Sequence, residues 1–319
     1  MRDLRIIFMG TPEFAVHILK GILENKYKVV GVITAPDKPA GRGRKVHQSA
    51  VKKFAVDNGL TVLQPTNLKS KYFLEELKNL QANLQVVVAF RMLPKVVWQM
   101  PKYGTFNLHA SLLPEYRGAA PINWSIINGE SITGVTTFFI DEKIDTGEII
   151  LQKECPIKEN ETAGELHDKL MEIGSKLVTK TIKRIQNKTV KTKAQPNRKL
   201  KHAPKIFKET CKIDWNDTLD NIYNKVRGLS PYPVAWTTLV NGDIETELKI
   251  HLVRKEKVQK TENTQSLEIG TVIHSKKELK IVTKNGFLIV DRLQISGKRK
   301  MDAQSFLNGF HFNKDTKVC

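Results

Sequence analysis

The chain has 319 residues, of which 40% are hydrophobic, and a formal net charge of +19. This length corresponds to about two domains, and this composition is ordinary for a globular protein. No apolar run reaches the roughly 20 residues of a membrane helix, and the three cysteines, Cys155, Cys211 and Cys319, form no CxxC pair. Composition therefore argues against a helical membrane protein, a cysteine-ligated metal site and a disulfide framework.

The N-terminal residues and the charge distribution indicate where the protein works and what it binds. Residues 1–8 enter a strand-like run without the apolar core of a signal peptide, so we expect a cytoplasmic protein. Residues 181–319 contain 28 Lys and Arg against 14 Asp and Glu, whereas residues 1–180 contain 24 against 19. Such a lopsided surplus favours a polyanionic partner, most often nucleic acid, although a generally basic proteome gives the same bias.

The first half of the chain alternates strand-like and helix-like segments. Apolar runs predict strands at residues 5–9, 29–34, 60–63, 84–90 and 104–109, and the segments between them predict helices at residues 12–25, 49–58 and 71–80. This rhythm predicts an α/β fold with a doubly wound, Rossmann-like parallel sheet. Ligands bind such sheets at the carboxyl ends of the strands.

The second half predicts a long helix, a linker and a smaller domain. Strand-like segments at residues 133–140 and 148–156 precede an amphipathic helix at residues 161–186. Residues 188–209 are polar and basic with two prolines, and we interpret them as a linker between a catalytic domain (residues 1–187) and a second domain (residues 210–319). Five short strands in that second domain, with helices near residues 217–227 and 303–308, predict a small OB-like β-barrel.

Asn107 and His109 lie two residues apart at the end of a predicted strand, so their side chains point to the same side while Leu108 faces the core. They pair an amide donor with the side chain that titrates nearest neutral pH. Such a pair suits transfer of an acyl-type group through an oxyanion. Asp145, in an Asp-Thr-Gly turn, can orient or charge the imidazole, although an aspartate in a turn is more often a cap.

These segments resemble the folate-dependent formyltransferase family, and the resemblance covers essentially the whole chain. It rests on Phe8-Met-Gly-Thr-Pro-Glu-Phe14, Asn107-Leu-His109, Ser111-Leu-Leu-Pro-Glu-Tyr-Arg-Gly118, Ala120-Pro121, Thr133-Gly-Val-Thr136, Asp145-Thr-Gly147 and Arg227-Gly-Leu-Ser-Pro-Tyr-Pro-Val-Ala-Trp236. The Asn/His/Asp set is shared by the wider family. The N-terminal motif, the Gly- and Arg-containing loop around Arg42 and the basic C-terminal region discriminate better among its members.

The resemblance implies a bacterial, cytoplasmic enzyme that takes a formyl group from 10-formyltetrahydrofolate. The acceptor would be the α-amine of methionine on initiator tRNA, with tetrahydrofolate as a product, no metal, and a monomeric protein. Asn107 would stabilise the formyl oxygen, and His109 and Asp145 would handle the protons, with the division between those two left open.

The resemblance also assigns binding residues. Folate would contact side chains or backbone near the strand ends, namely Phe90, Arg91, Met92, Ser111, Leu112, Leu113, Pro114, Gly118 and Asp141, and tRNA would contact Arg42, Arg44, Lys45 and Lys205. Arg91 departs from the family pattern, in which glycine is common at this position. Its side chain either adds a donor to the folate or points outward.

Three other functions stay open at this point. One is formyl transfer to a small amine, such as a glycinamide ribonucleotide or an amino-sugar nucleotide. Another is hydrolysis of the folate with release of formate, and the third is non-enzymatic RNA binding on the same scaffold. The first has no need for the basic surplus beyond residue 180, and the third has no need for the Asn/His/Asp set.

Overall fold

A computed structural model gives the fold of residues 1–40, 45–196, 198, 200–258 and 267–319. The chain forms two compact units that alternate along the sequence: the first comprises Met1–Pro121, Ile132–Pro156 and His167–His202, and the second comprises Ile122–Ser131, Ile157–Leu166 and Ala203–Cys319. The predicted domain limits at residues 187 and 210 stay a prediction. The first unit includes much of the segment that we interpreted as a linker.

The helices and strands lie close to the segments predicted from the sequence. In chain order they are β1 (Arg5–Gly10), α1 (Glu13–Glu24), β2 (Lys28–Ile33), β3 (Lys38–Ala40), β4 (Lys45–His47), α2 (Ala50–Asp57), β5 (Val62–Leu63), α3 (Lys71–Asn79), β6 (Leu84–Val88), α4 (Lys95–Trp98), β7 (Thr105–His109), β8 (Arg117–Gly118), α5 (Pro121–Ile127), β9 (Ile132–Phe139), β10 (Ile149–Pro156), α6 (Ala163–Gln186), β11 (His202–Ala203), a 3-10 turn (Glu209–Cys211), α7 (Leu219–Gly228), β12 (Ala235–Asn241), β13 (Ile244–Lys257), β14 (Val272–His274), β15 (Leu279–Thr283), β16 (Gly286–Ile295), β17 (Met301–Asp302), α8 (Ala303–Gly309) and β18 (Lys317–Val318).

The first unit is built on a seven-stranded sheet with the order β10-β9-β7-β6-β1-β2-β5. Five strands, in spatial order β7, β6, β1, β2 and β5, run parallel. Strands β9 and β10 extend the sheet antiparallel beside β7. The α/β prediction with a Rossmann-like sheet is therefore confirmed. The two strand-like segments on either side of Asp145 become the antiparallel edge of this sheet.

Helices cover both faces of the sheet in the first unit. On one face α6 packs so closely on β7 that a Cβ atom at Gly174 would lie 2.8 Å from Leu108 Cδ2. On the other face the strand residues Met9 and Val87 pack with Phe73 of α3 and Val97 of α4. Since side chains alternate along a strand, Leu108 faces α6, and its neighbours Asn107 and His109 face the opposite side.

The second unit contains an antiparallel sheet with the order β14-β15-β16-β13-β12-β18, and β17 pairs with β16. The sheet closes on itself because Thr271 bridges to Lys317 and the amide of Val318 donates to Gly270 O at 2.9 Å. Side chains of α7 fill the interior with those of the strands. The prediction of a barrel-like C-terminal domain is confirmed.

Helix α6 begins two residues later than predicted, at Ala163. The Thr162 hydroxyl accepts from the Glu165 amide at 3.3 Å, and the Glu165 carboxylate accepts from the Thr162 amide at 2.8 Å. This reciprocal capping box sets the first turn. Across the described residues, no helix is both long and apolar enough to cross a membrane.

Candidate active site

Asn107 and His109 lie on β7, where the strand is flanked by β6 and β9. Asn107 pairs in register with Val87, and His109 with Thr136. His109 is the last residue of its strand, at the carboxyl edge of the parallel strands. The fold thus places both side chains where open α/β sheets bind their ligands.

The imidazole of His109 is buried, with 6% of the residue exposed. Its Nε2 lies 2.8 Å from the carbonyl oxygen of Tyr116. A carbonyl only accepts, so Nε2 is the nitrogen that carries the proton and donates here. Nδ1 is then left for chemistry, and it lies 3.7 Å from Asp145 Oδ2.

Asp145 is held in an uncommon backbone conformation, with φ at +55°. Its Oδ2 accepts a hydrogen bond from the backbone amide of Gly118 at 2.9 Å. The turn that follows needs Gly147, since a Cβ there would lie 1.7 Å from Phe139 O. Aspartate tolerates the left-handed region better than most residues. The turn therefore presents the carboxylate to Nδ1 of His109.

The side-chain amide of Asn107 is placed differently. Its Oδ1 is buried and has no hydrogen-bond partner among the described residues. An unpaired buried acceptor costs about 1–3 kcal/mol. Native structures keep such a group where a ligand or water supplies the partner. The amide thus has unused hydrogen-bonding capacity beside the His109–Asp145 pair.

The loop after β7 is fixed by hydrogen bonds to β9 and β10. The Ser111 hydroxyl donates to Glu115 O at 2.7 Å, and the Leu113 amide donates to Thr136 Oγ1 at 3.1 Å. Gln152 Nε2 donates to Leu113 O at 2.8 Å. Leu113 also packs against Phe138 and Ile149. Among the predicted folate residues here, Ser111 and Leu113 are buried and Leu112, Pro114 and Gly118 are half-buried.

The predicted folate residues after β6 and β9 differ in their surroundings. Phe90 is half-buried against the core of the α3 face, and Met92 is 68% exposed. Arg91 is exposed, and its guanidinium donates to Thr66 O at 3.0 Å and to Pro65 O, in the segment that follows β5. Asp141 accepts from the Thr146 hydroxyl at 2.7 Å, so it braces the loop that carries Asp145.

Sequence reasoning missed Gln195, which contacts the Asp145 turn, and Arg117, which contacts Gln195. Gln195 Nε2 donates to Asp145 O at 3.0 Å and to Gly147 O at 2.7 Å. Its Oε1 accepts from Arg117 Nη2 at 2.6 Å. Gln195 lies 50 positions from Asp145 in a polar, basic stretch, so no periodicity or motif links the two residues.

In the second unit, two lysines lie over aromatic rings, one exposed and one half-buried. Lys205 Nζ is 5.4 Å from the centroid of Phe207, whose surface is 57% exposed, and Lys208 Nζ is 5.2 Å from the centroid of Trp236. Such interleaving is typical of surfaces that contact nucleic acids. Of the other predicted tRNA residues, Arg42, Arg44 and the side chain of Lys45 lie outside the described residues.

Comparison with known proteins places the chain in a family. Residues 4–182 match the family of formyl transferases, and residues 205–311 match the formyl transferase C-terminal domain. The chain belongs to the formyl transferase family. Within that family, it is 58% identical to the methionyl-tRNA formyltransferase of Flavobacterium johnsoniae over 319 residues, all of both chains, and 49% identical to that of Bacteroides thetaiotaomicron over 99% of this chain and 98% of the relative.

A solved structure shares the architecture at lower identity. An N-formyltransferase from Helicobacter canadensis, in complex with folinic acid and dTDP-3-aminofucose, aligns with a TM-score of 0.63 and 24% identity. The alignment covers 90% of this chain and 98% of that one. The predicted family resemblance is confirmed by the full-length relatives, and the structural likeness supports the fold.

Proposed function

We propose that this chain transfers the formyl group of 10-formyltetrahydrofolate to the α-amine of methionyl initiator tRNA, releasing tetrahydrofolate. The observation that carries the proposal is the 58% identity, along the whole length, to a relative named methionyl-tRNA formyltransferase. His109 Nδ1 lies 3.7 Å from Asp145 Oδ2, and this pair can carry out the proton transfers of the reaction. The reaction takes place in the cytoplasm of a bacterium.

The unused amide of Asn107 fits a formyl donor and an amine. One end of an amide donates and the other accepts, so it can hold a formyl oxygen and an amine N–H at once. The Helicobacter canadensis protein binds folinic acid, which supports a folate as the donor. When bound, the folate supplies the formyl carbon, and the residues that hold it are those after β6 and β7 together with Asp141.

Asn107 acts on the developing charge. When the amine nitrogen bonds to the formyl carbon, negative charge moves onto the formyl oxygen. A donor already fixed on β7 stabilises that charge without reorganising, and one such hydrogen bond is typically worth about 3–4 kcal/mol in the transition state. The amide is fixed because β7 is paired on both sides, to β6 and β9.

His109 and Asp145 act as one proton-holding pair. Nε2 of His109 is occupied by Tyr116 O, so a proton can be exchanged only at Nδ1, which faces the carboxylate. A lone pair facing an anion is unfavourable, and one proton between them removes the conflict. The pair therefore takes a proton from the attacking amine and returns one to the leaving nitrogen of the donor.

The basic second unit holds the tRNA. Lys205, beside the exposed ring of Phe207, offers a cation and a stacking surface together. Phosphate contacts of this kind position a nucleic acid without reading its sequence. The predicted contacts of Arg42, Arg44 and Lys45 belong to the same proposal. A single chain suffices for the chemistry, so we propose a monomer that needs no metal.

The test is a comparison of acceptors. The full-length protein is given 10-formyltetrahydrofolate and methionyl initiator tRNA, glycinamide ribonucleotide or an amino-sugar nucleotide in parallel, and the formylated product is quantified. We expect rapid formylation of the charged tRNA and none of the small amines. Formylation of a small amine alone would refute the acceptor, and formate release without any acceptor would indicate a hydrolase.

A further inference from the structure

Gln195 completes a closed ring of hydrogen bonds around Asp145. The amide of Gly118 donates to Asp145 Oδ2 at 2.9 Å, and Arg117, the preceding residue, donates to Gln195 Oε1 through Nη2 at 2.6 Å and Nε at 3.1 Å. Gln195 Nε2 returns to Asp145 O at 3.0 Å. The hydrogen bonds of this ring therefore reach both the carboxylate and the backbone carbonyl of Asp145.

The orientation of the Gln195 amide follows from chemistry. The Arg117 guanidinium can only donate, and the two carbonyls at Asp145 and Gly147 can only accept. The oxygen of Gln195 must therefore face Arg117, and its nitrogen must face the turn. The reversed amide would set acceptor against acceptor and donor against donor, so one rotamer is selected.

The segment that carries Gln195 is itself fastened to the first unit. Lys193 and Ile149 exchange two backbone hydrogen bonds of 2.9 Å, and Thr192 Oγ1 donates to Glu148 Oε2 at 2.6 Å. Farther on, the Tyr116 amide donates to Lys201 O at 2.7 Å. The segment that composition predicts as a linker thus contacts the Asp145 turn and the loop that holds Tyr116.

The turn needs an external brace. Asp145 has a positive φ and lies in an exposed loop between β9 and β10. A single residue in this region adds roughly 1–3 kcal/mol of strain. The Asp145 carboxylate must nevertheless keep its distance from His109 Nδ1, because a displacement of about 1 Å can lower a rate about 100-fold.

We propose that Gln195, oriented by Arg117, is a positioning residue that holds the Asp145 carboxylate against His109 for proton transfer. The inference rests on the proposed function and adds to it a residue from outside the Asn/His/Asp set. Gln195 acts through the backbone of the turn, so it changes the rate of the chemical step and leaves the affinity for both substrates unchanged.

Gln195→Leu removes all four side-chain hydrogen bonds at nearly constant volume. We expect kcat to fall about 100-fold, with the KM for 10-formyltetrahydrofolate and for charged tRNA within twofold. Gln195→Glu keeps the acceptor for Arg117 and loses both donors, so it should be as slow as Gln195→Leu. Ala194→Ser, at the exposed neighbouring position, is the matched control on the same segment, and it should keep the kcat of the parent.

A double-mutant cycle with Asp145→Asn separates positioning from general stability. If Gln195 acts through Asp145, Gln195→Leu should reduce kcat by less than threefold in the Asp145→Asn background. An equal loss in both backgrounds, or a parent-like kcat for Gln195→Leu, would overturn the inference.

Hydrogen exchange gives a readout that does not depend on activity. The Gly118 amide, which donates to Asp145 Oδ2, should exchange faster in Gln195→Leu than in the parent or Ala194→Ser. Unchanged exchange would count against the inference. A parent protein that fails to formylate charged tRNA would refute the proposed function instead. The exchange result would still show whether Gln195 holds the Asp145 turn in place.

Discussion

The Nδ1 atom of His109 and the Oδ2 atom of Asp145 lie 3.7 Å apart, while the other imidazole nitrogen is bound to Tyr116 O. That separation exceeds a direct hydrogen bond. The imidazole is thus fixed at one end and open at the other. A proton or an amine N–H must enter this gap for the pair to be fully satisfied, and this requirement leads to the first prediction.

Asp145→Asn should abolish most turnover with little effect on folding. The carboxamide keeps the shape and can still accept from the Gly118 amide, but it loses the charge that faces His109. We expect kcat to fall about 100- to 10,000-fold with little change in the KM for folate, measured by single-turnover formylation. Glu142→Gln, on the exposed part of the same loop, is the control and should stay within twofold of the parent.

Asn107→Leu should lose activity without losing stability. Removing the donor should reduce kcat about 100- to 1,000-fold. Removing the unpaired buried oxygen should leave the free energy of unfolding unchanged or raise it by about 1–3 kcal/mol. Leu108→Ala is the contrasting neighbour, since it leaves a cavity against α6 and should lower that free energy by about 2–5 kcal/mol. Urea titrations of both variants test this, and a strongly destabilised Asn107→Leu would contradict it.

Gly147→Ala should distort the turn that carries Asp145. The new Cβ would lie 1.7 Å from Phe139 O, a contact that forces the backbone to move. We expect a loss of about 1–3 kcal/mol in the free energy of unfolding and a fall in kcat. Gly309→Ala, where a Cβ meets nothing within 4 Å, should change neither quantity. Parent-like activity of Gly147→Ala would show that the turn adapts.

His251 should make the barrel sensitive to acid. Burial, followed by the charge of Lys300, lowers the pKa of His251 from its usual 6.5, and Lys249 acts in the same direction. The folded state then binds fewer protons than the unfolded state, so this contribution is fully present above about pH 6.5 and is lost as pH falls through the folded pKa. The slope from one such group is at most about 1.4 kcal/mol per pH unit.

The free energy of unfolding, measured between pH 7 and pH 5, tests whether stability falls as the pH is lowered. His251→Phe keeps an aromatic ring without a titrating nitrogen, so its stability should change less over that range than the stability of the parent. Identical slopes for the two proteins would exclude His251 as the source.

Lys205→Ala should weaken tRNA binding through one lost phosphate contact. The KM for charged tRNA should rise several-fold, and the slope of log affinity against log salt should fall by about 1. Lys20→Ala, an exposed lysine of α1, is the control and should leave both unchanged. A flat salt response of the parent protein would remove the electrostatic argument for the second unit.

The sequence predicts those parts of the fold that depend on local pattern. Leu84–Val88 is buried throughout, and its apolar run, interrupted only by Gln85, already predicts a central parallel strand. The two-residue spacing of Asn107 and His109 likewise places both side chains on one face. The predicted start of α6 is two residues early, because the Thr162 and Glu165 capping box places the first helical residue at Ala163.

Contacts between distant polar residues could not be predicted. Gln195 reaches the Asp145 turn from a stretch that reads as a charged linker, and its contacts depend on the course of the backbone. The hydrogen bonds of Arg91 likewise depend on the carbonyls of Pro65 and Thr66, whose positions a single sequence does not reveal. The division of labour between His109 and Asp145 stays a proposal for the same reason.

The alternation of the two units along the chain has a consequence for inheritance. The second unit includes Ile122–Ser131 and Ile157–Leu166, which precede its main segment in the sequence, and buried Arg227 donates to Glu161 O at 3.0 Å. A recombination event with one crossover near residue 203 would therefore join a barrel from one parent to its supporting segments from another. Such chimeras would be selected against unless both parents match at these contacts. Recombination should therefore tend to transfer the gene as a whole.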